Sequence, residues 1–176
     1  MEYTLILFYL KNSISDVPYF WWYHTLMRHI TRTIVAACIV SSDKKILMGK
    51  KDPEKGGVYP DCWHIPGGGV EEGETEREAL CRELHEEMNF DCEGSHISIL
   101  DENGTGTSEK TLENGEKVIC EMEFHVYLVE VPFSSDNVVV KPGDDLAECR
   151  WIPMNVLSDY KLTPPSVELF TKLAWI

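Results

Sequence analysis

Residues 71–91 carry nine acids against two bases, Arg77 and Arg82, a net charge of −7 within the strongest helical stretch of the chain. That is half of the −14 carried by all 176 residues. Thr75 followed by Glu78 has the spacing of a capping box, which predicts a helix over 75–88. Asn89 stands where a helix takes a left-handed terminal residue. At about 100° per residue Glu83, Glu86 and Glu87 share one stripe, and Leu80, Cys81, Leu84 and Met88 share the adjoining, core-facing one. Three carboxylates beside a buried face repel one another unless a cation joins them, and hard oxygen donors suit Mg²⁺ or Mn²⁺. The same face could also be simply solvated, with Arg82 pairing Glu78 or Glu86 four residues away.

The flanks place this helix in one mixed α/β domain. Buried-strand runs are expected at 33–40 and 45–48, with the turn 41–43 between them. Residues 52–60 are loop by composition, and 62–65 form a short strand halted by Pro66 and Gly67, Gly68 and Gly69. Further strands are expected at 95–100, 117–131 and 148–152, and a closing helix at 165–175. Asn103-Gly104 and Asn114-Gly115 are turn signals. Along 117–131, Glu121, Glu123, His125 and Tyr127 alternate with Cys120, Met122, Phe124 and Val126, so one face is core and the other polar. Residues 1–27 form a separate N-terminal extension with the aromatic block 19–23, read as an added packing element or as a docking arm.

An acidic chain, with a sequence pI near 4.8, gains nothing from a polyanion, which excludes nucleic-acid binding through a basic patch. No stretch reaches the length of a transmembrane helix. The six cysteines include no CxxC pair, which argues against zinc, and their even spread, with no convincing secretory signal, suggests a cytoplasmic protein with reduced, inert thiols.

Gly68, five residues, Glu74, seven residues, then Arg82-Glu83-Leu84-His85-Glu86-Glu87-Met88-Asn89-Phe90 resembles the Nudix box, with Asn89 in place of its glycine and Phe90 in place of an aliphatic residue. The similarity extends through 63–68 before the box and 146–152 and 162–173 after it, so a Nudix domain is expected over 28–176. The resemblance implies an α/β/α sandwich around a mixed sheet. It also implies metal-dependent hydrolysis of a pyrophosphate bond in a nucleoside diphosphate linked to some group X. Glu83, Glu86 and Glu87 are then the expected metal ligands, Glu86 and Glu87 also acting in catalysis, with Arg82 and Glu74 bracing them. Gly67, Gly68 and Gly69 would keep the phosphate approach open, with Lys50 and Lys51 reaching the phosphates. Glu123 and Glu121 are the expected general bases outside the box. The expected substrate is a nucleoside triphosphate or related nucleotide, and a homodimer is compatible with the sequence. Two alternatives stay open: a diphosphate isomerase, and a silent domain acting as nucleotide sensor or interaction module. Sensors of this kind usually lose box carboxylates, and this chain keeps them.

Overall fold

The computed structural model describes residues 27–55, 59–144 and 146–176. The aromatic extension at 1–26 and the middle of the 52–60 loop lie outside the described residues.

A seven-stranded mixed sheet organises the domain. Its strands are β1 (Arg28–Val40), β2 (Lys45–Lys51), β3 (Trp63–His64), β4 (Gly67–Gly69), β5 (His96–Thr111), β6 (Lys117–Glu130) and β7 (Leu146–Pro153). The path runs β3-β2-β1-β6-β5, with β4 also pairing β1 and β7 also pairing β2. The long β1–β6 pairing is parallel, Arg28 opposite Val118 through Val40 opposite Glu130, and the other ladders are antiparallel. Helices α1 (Glu76–Met88) and α2 (Pro164–Lys172) complete the sandwich.

Strand alternation divides the apolar residues between two cores. On one face Val35, Ala37, Ile39, Leu47 and Val129 meet Leu80, Leu84 and Met88 of α1. On the other, Cys38, Ile46, Met48, Val126 and Ile152 meet Trp63 and Leu169 and Phe170 of α2. Each fully buried leucine of α1 contributes about 1.5–3 kcal/mol, which fixes the helix against the sheet and leaves its carboxylate stripe at the margin of that contact.

Three local expectations change. Asn103-Gly104 is no turn: β5 runs through it, and register shifts between Ile99 and Asp101 and between Asp101 and Gly104 absorb the extra residues. The Asn103 amide is satisfied by Asp101 Oδ1 at 3.1 Å, and Gly104 lies against Phe124, so the dipeptide marks a bulge. Asn114-Gly115 does make the turn, with Gly115 at φ 83°. The glycine run is a strand, β4, held by β1 with Val35 opposite Gly68. The thiols are not all reduced: Cys81 and Cys92 form a disulfide, while Cys38, Cys62, Cys120 and Cys149 are free. Among the described residues no helix is long and apolar enough to cross a membrane.

Candidate active site

Helix α1 is held at both ends by local chemistry. The Thr75 hydroxyl accepts from the Glu78 amide, and the Glu78 carboxylate accepts from the Thr75 amide at 2.8 Å, completing the capping box. Asn89 adopts the left-handed conformation (φ 50°, ψ 34°) and its amide donates back to His85 O at 2.8 Å. Two carbonyls of the last turn would otherwise lack partners; Glu87 O accepts from Gly143 N at 2.8 Å and Met88 O from Lys141 N at 3.0 Å. The Cys81–Cys92 disulfide ties the second turn of α1 to the chain beyond its end.

Arg82 is the hub of the carboxylates. Its Nε and Nη2 fork onto Glu74 at 2.7 and 3.0 Å, and Nη2 also donates to Gly69 O at 3.0 Å. Its Nη1 donates to Glu83 Oε1 at 2.8 Å and to Glu86 Oε2 at 3.2 Å. Such a forked, charge-assisted contact fixes direction as well as distance. It pulls the Glu74 carboxyl down to about 2, with help from the Glu71 backbone, and raises the Arg82 guanidinium further.

Glycines shape the seat of Glu83. A Cβ on Gly68 would fall 2.3 Å from the Glu83 carboxyl carbon, and one on Gly69 would fall 2.1 Å from Nη2 of Arg32. The space over these glycines is therefore filled by the protein's own Glu83 and Arg32. Gly67 takes φ 148° and its amide donates to Glu87 Oε2 at 3.0 Å. Glu87 is only 5% exposed, whereas the Glu86 side chain is 54% exposed. Among the described residues no three His, Cys, Asp or Glu side chains stand close enough to enclose a metal ion. Yet Glu83 and Glu86 already share one cationic nitrogen, and three carboxylates are the donor chemistry that Mg²⁺ and Mn²⁺ take, so the residues present fit such an ion.

The remaining expected residues lie further out. Glu121 and Glu123 are exposed on β6, and Glu121 Oε1 is 2.7 Å from Nδ1 of His29. Glu123 stands in register with Thr33 of β1, on the strand beyond the one that pairs β4. Lys50 Nζ is 3.4 Å from Asp61 Oδ1, and Lys51 follows it at the end of β2. His125 and Tyr127 turn to the start of α1. They converge on Oε2 of Glu76 in the first turn of α1, His125 Nδ1 at 2.9 Å and the Tyr127 hydroxyl as donor. Those bonds hold the Glu76 carboxyl low, and burial, with Glu76 beside it, pushes Tyr127 up to about 12. Glu76 and Arg32 had no signal in the sequence, because their partners lie on other strands.

The box on a strand-and-helix frame beside a mixed sheet defines a class: residues 31–173 match the NUDIX domain model, and the chain belongs to the Nudix hydrolase family, as a pyrophosphohydrolase. Within it the chain is similar to nucleoside triphosphatase NudI of Escherichia coli K12, with 32% identity over 137 residues that span 74% of this chain and 88% of that one. Among solved structures it resembles the NUDIX domain of Shewanella oneidensis NrtR complexed with ADP ribose (TM-score 0.60, 14% identity, 82% of this chain and 87% of that one). It also resembles the Nudix hydrolase RenU of M. smegmatis (TM-score 0.57, 17% identity, 84% of each chain). These two likenesses concern the fold.

Proposed function

We propose that the protein hydrolyses a nucleoside triphosphate to the nucleoside monophosphate and pyrophosphate in a reaction that requires Mg²⁺ or Mn²⁺. The observation that carries this is the Arg82 hub, whose Nη1 draws Glu83 and Glu86 together, on the same helix as the buried Glu87. The similarity to nucleoside triphosphatase NudI supports the substrate class. Glu83, Glu86 and Glu87 would hold the cation, which when bound neutralises phosphate charge and lowers the pKa of a water. Arg82 and Glu74 orient the carboxylates without touching substrate. Lys50, exchanging Asp61 for a phosphate, and Lys51 add positive charge for the phosphates. Of the two bases weighed on β6 we retain Glu123, whose carboxylate would take the proton of the attacking water, because Glu121 is engaged by His29. Residues 28–176 make up the catalytic domain.

Nucleoside triphosphates incubated with Mg²⁺ should yield one pyrophosphate and one monophosphate per turnover, detected by phosphate release only after added inorganic pyrophosphatase. EDTA and Glu87→Gln should each abolish it. Release of orthophosphate with a diphosphate product would refute the assigned bond. Silence with every nucleotide and both metals would favour the sensor alternative.

A further inference from the structure

Arg32 is the half-buried arginine that, among the described residues, has no acidic partner, in a chain with 30 acids and 16 bases. Arg28 is paired with Glu116, Arg82 with Glu74, Glu83 and Glu86, and Arg150 with Glu148; Arg77 is exposed. The fold also makes room for Arg32: its Nη2 lies where any side chain at residue 69 would begin. The same sheet face carries Ile34, Met122 and Phe124, all half-buried, through the register Arg32–Met122–Gly106 and Ile34–Phe124–Gly104. Gly104 and Gly106 lie directly against Phe124, whose ring fills the space that side chains at these two positions would take. Gly69 and Gly68 are consecutive and point to opposite faces of β4, one toward Arg32 and the other toward Glu83. The guanidinium is therefore on the order of 10 Å from the Glu83 carboxylate, on the opposite face of a three-residue strand whose second edge is met by no other strand among the described residues but by Glu87 Oε2 at Gly67 N and Arg82 Nη2 at Gly69 O. A nucleotide with its phosphates at the carboxylates can lay its base on this platform.

We propose that Arg32 is a specificity-determining residue, donating to an oxo group on the base of a nucleotide that packs on Phe124 and Met122. This rests on the nucleotide reading given above. A guanidinium offers only donors, so it favours a base with an acceptor at purine position 6 or pyrimidine position 4 and rejects an amino group there. Guanine, hypoxanthine, uracil and thymine fit; adenine and cytosine present N–H against N–H.

The test is kcat/KM for GTP, ITP, ATP, UTP and CTP with the wild type, Arg32→Ala and Arg32→Lys, beside their melting curves. The wild type should prefer GTP and ITP over ATP, and UTP over CTP, by roughly 10- to 100-fold. Arg32→Ala should lose most of that preference through a fall on the oxo substrates. Arg32→Lys keeps the charge without the planar fork, serves if the alanine variant does not fold, and should lose most of it too. An equal fall on all five substrates would make Arg32 a phosphate anchor and overturn the proposal, as would an unchanged preference. If no nucleotide turns over, the hydrolysis proposal fails by itself. Calorimetric binding of GMP against AMP to the same proteins then reads the base preference, with equal affinities in the wild type overturning it.

Discussion

Gly68→Ala separates the cost of moving Glu83 from the cost of unfolding. The added Cβ would sit 2.3 Å from the carboxyl carbon and Oε1 of Glu83 and 2.4 Å from Oε2, where ordinary contact begins near 3.4 Å. Glu83 must therefore withdraw by about 1 Å, giving up its 2.8 Å bond to Arg82. All three atoms met are the end of a flexible side chain, and Gly68 itself has no positive φ. The fold can then yield at under about 1 kcal/mol, a change in Tm of about 2–4 °C. Catalysis cannot yield so cheaply, because misplacing a reacting constellation by 1 Å costs about 100-fold in rate. We predict kcat/KM down by about 100-fold, a higher Mg²⁺ concentration for half activity, and a melting curve close to wild type. Gly115→Ala is the control: its φ of 83° strains any side chain in the β5–β6 turn, yet nothing lies within 4 Å of the new Cβ. It should lose about 1 kcal/mol of stability and keep its kcat/KM. A Gly68→Ala enzyme with wild-type kcat/KM and metal requirement would refute the placement of Glu83 in the reaction.

Thr75→Ala removes the hydroxyl half of the capping box and should cost about 1 kcal/mol in thermal melts, with little change in kcat/KM. Under denaturing conditions without reductant, thiol titration should find four free cysteines rather than six. Reduction, or Cys92→Ser, should lower stability by about 3 kcal/mol, the loop entropy of a short crosslinked segment; unchanged melting with six free thiols would remove the disulfide. Glu74, held at about 2 against an ordinary value near 4.5, adds stability in full above pH 4.5 and loses it as pH falls toward 2. The Tm difference between wild type and Glu74→Gln should therefore be flat above that pH and shrink below it; a difference that grows on acidification would contradict the Arg82–Glu74 fork.

What was legible in the sequence was what neighbours in the chain decide. The Thr75–Glu78 box and the left-handed Asn89 are set by residues within one helical turn, and both stand as the spacing predicts. The sandwich was legible through the resemblance around 68–90, but the runs at 33–40 and 45–48 read as buried throughout, so the division of their residues between two cores is visible only once α1 and α2 are placed on opposite faces. Composition misled where a distant strand supplied the partner. Three glycines read as loop, yet β1 gives them a ladder, and their lack of side chains seats Glu83 and Arg32. Asn103-Gly104 reads as a turn, yet pairing with β6 carries β5 through it. The contacts of Glu76 with His125 and Tyr127 span 49 and 51 residues and leave no local trace. Cys81 and Cys92 meet because the chain reverses at Asn89, a pairing that even spacing across six cysteines does not single out.

The most direct measurement is a Mn²⁺ titration followed by electron paramagnetic resonance, with turnover read on the same samples, for wild type and Glu83→Gln, Glu86→Gln and Glu87→Gln. Binding and turnover should fall together in the three variants while their melting curves show a folded domain. Wild-type Mn²⁺ binding and turnover in all three would contradict a metal-dependent reaction at these carboxylates.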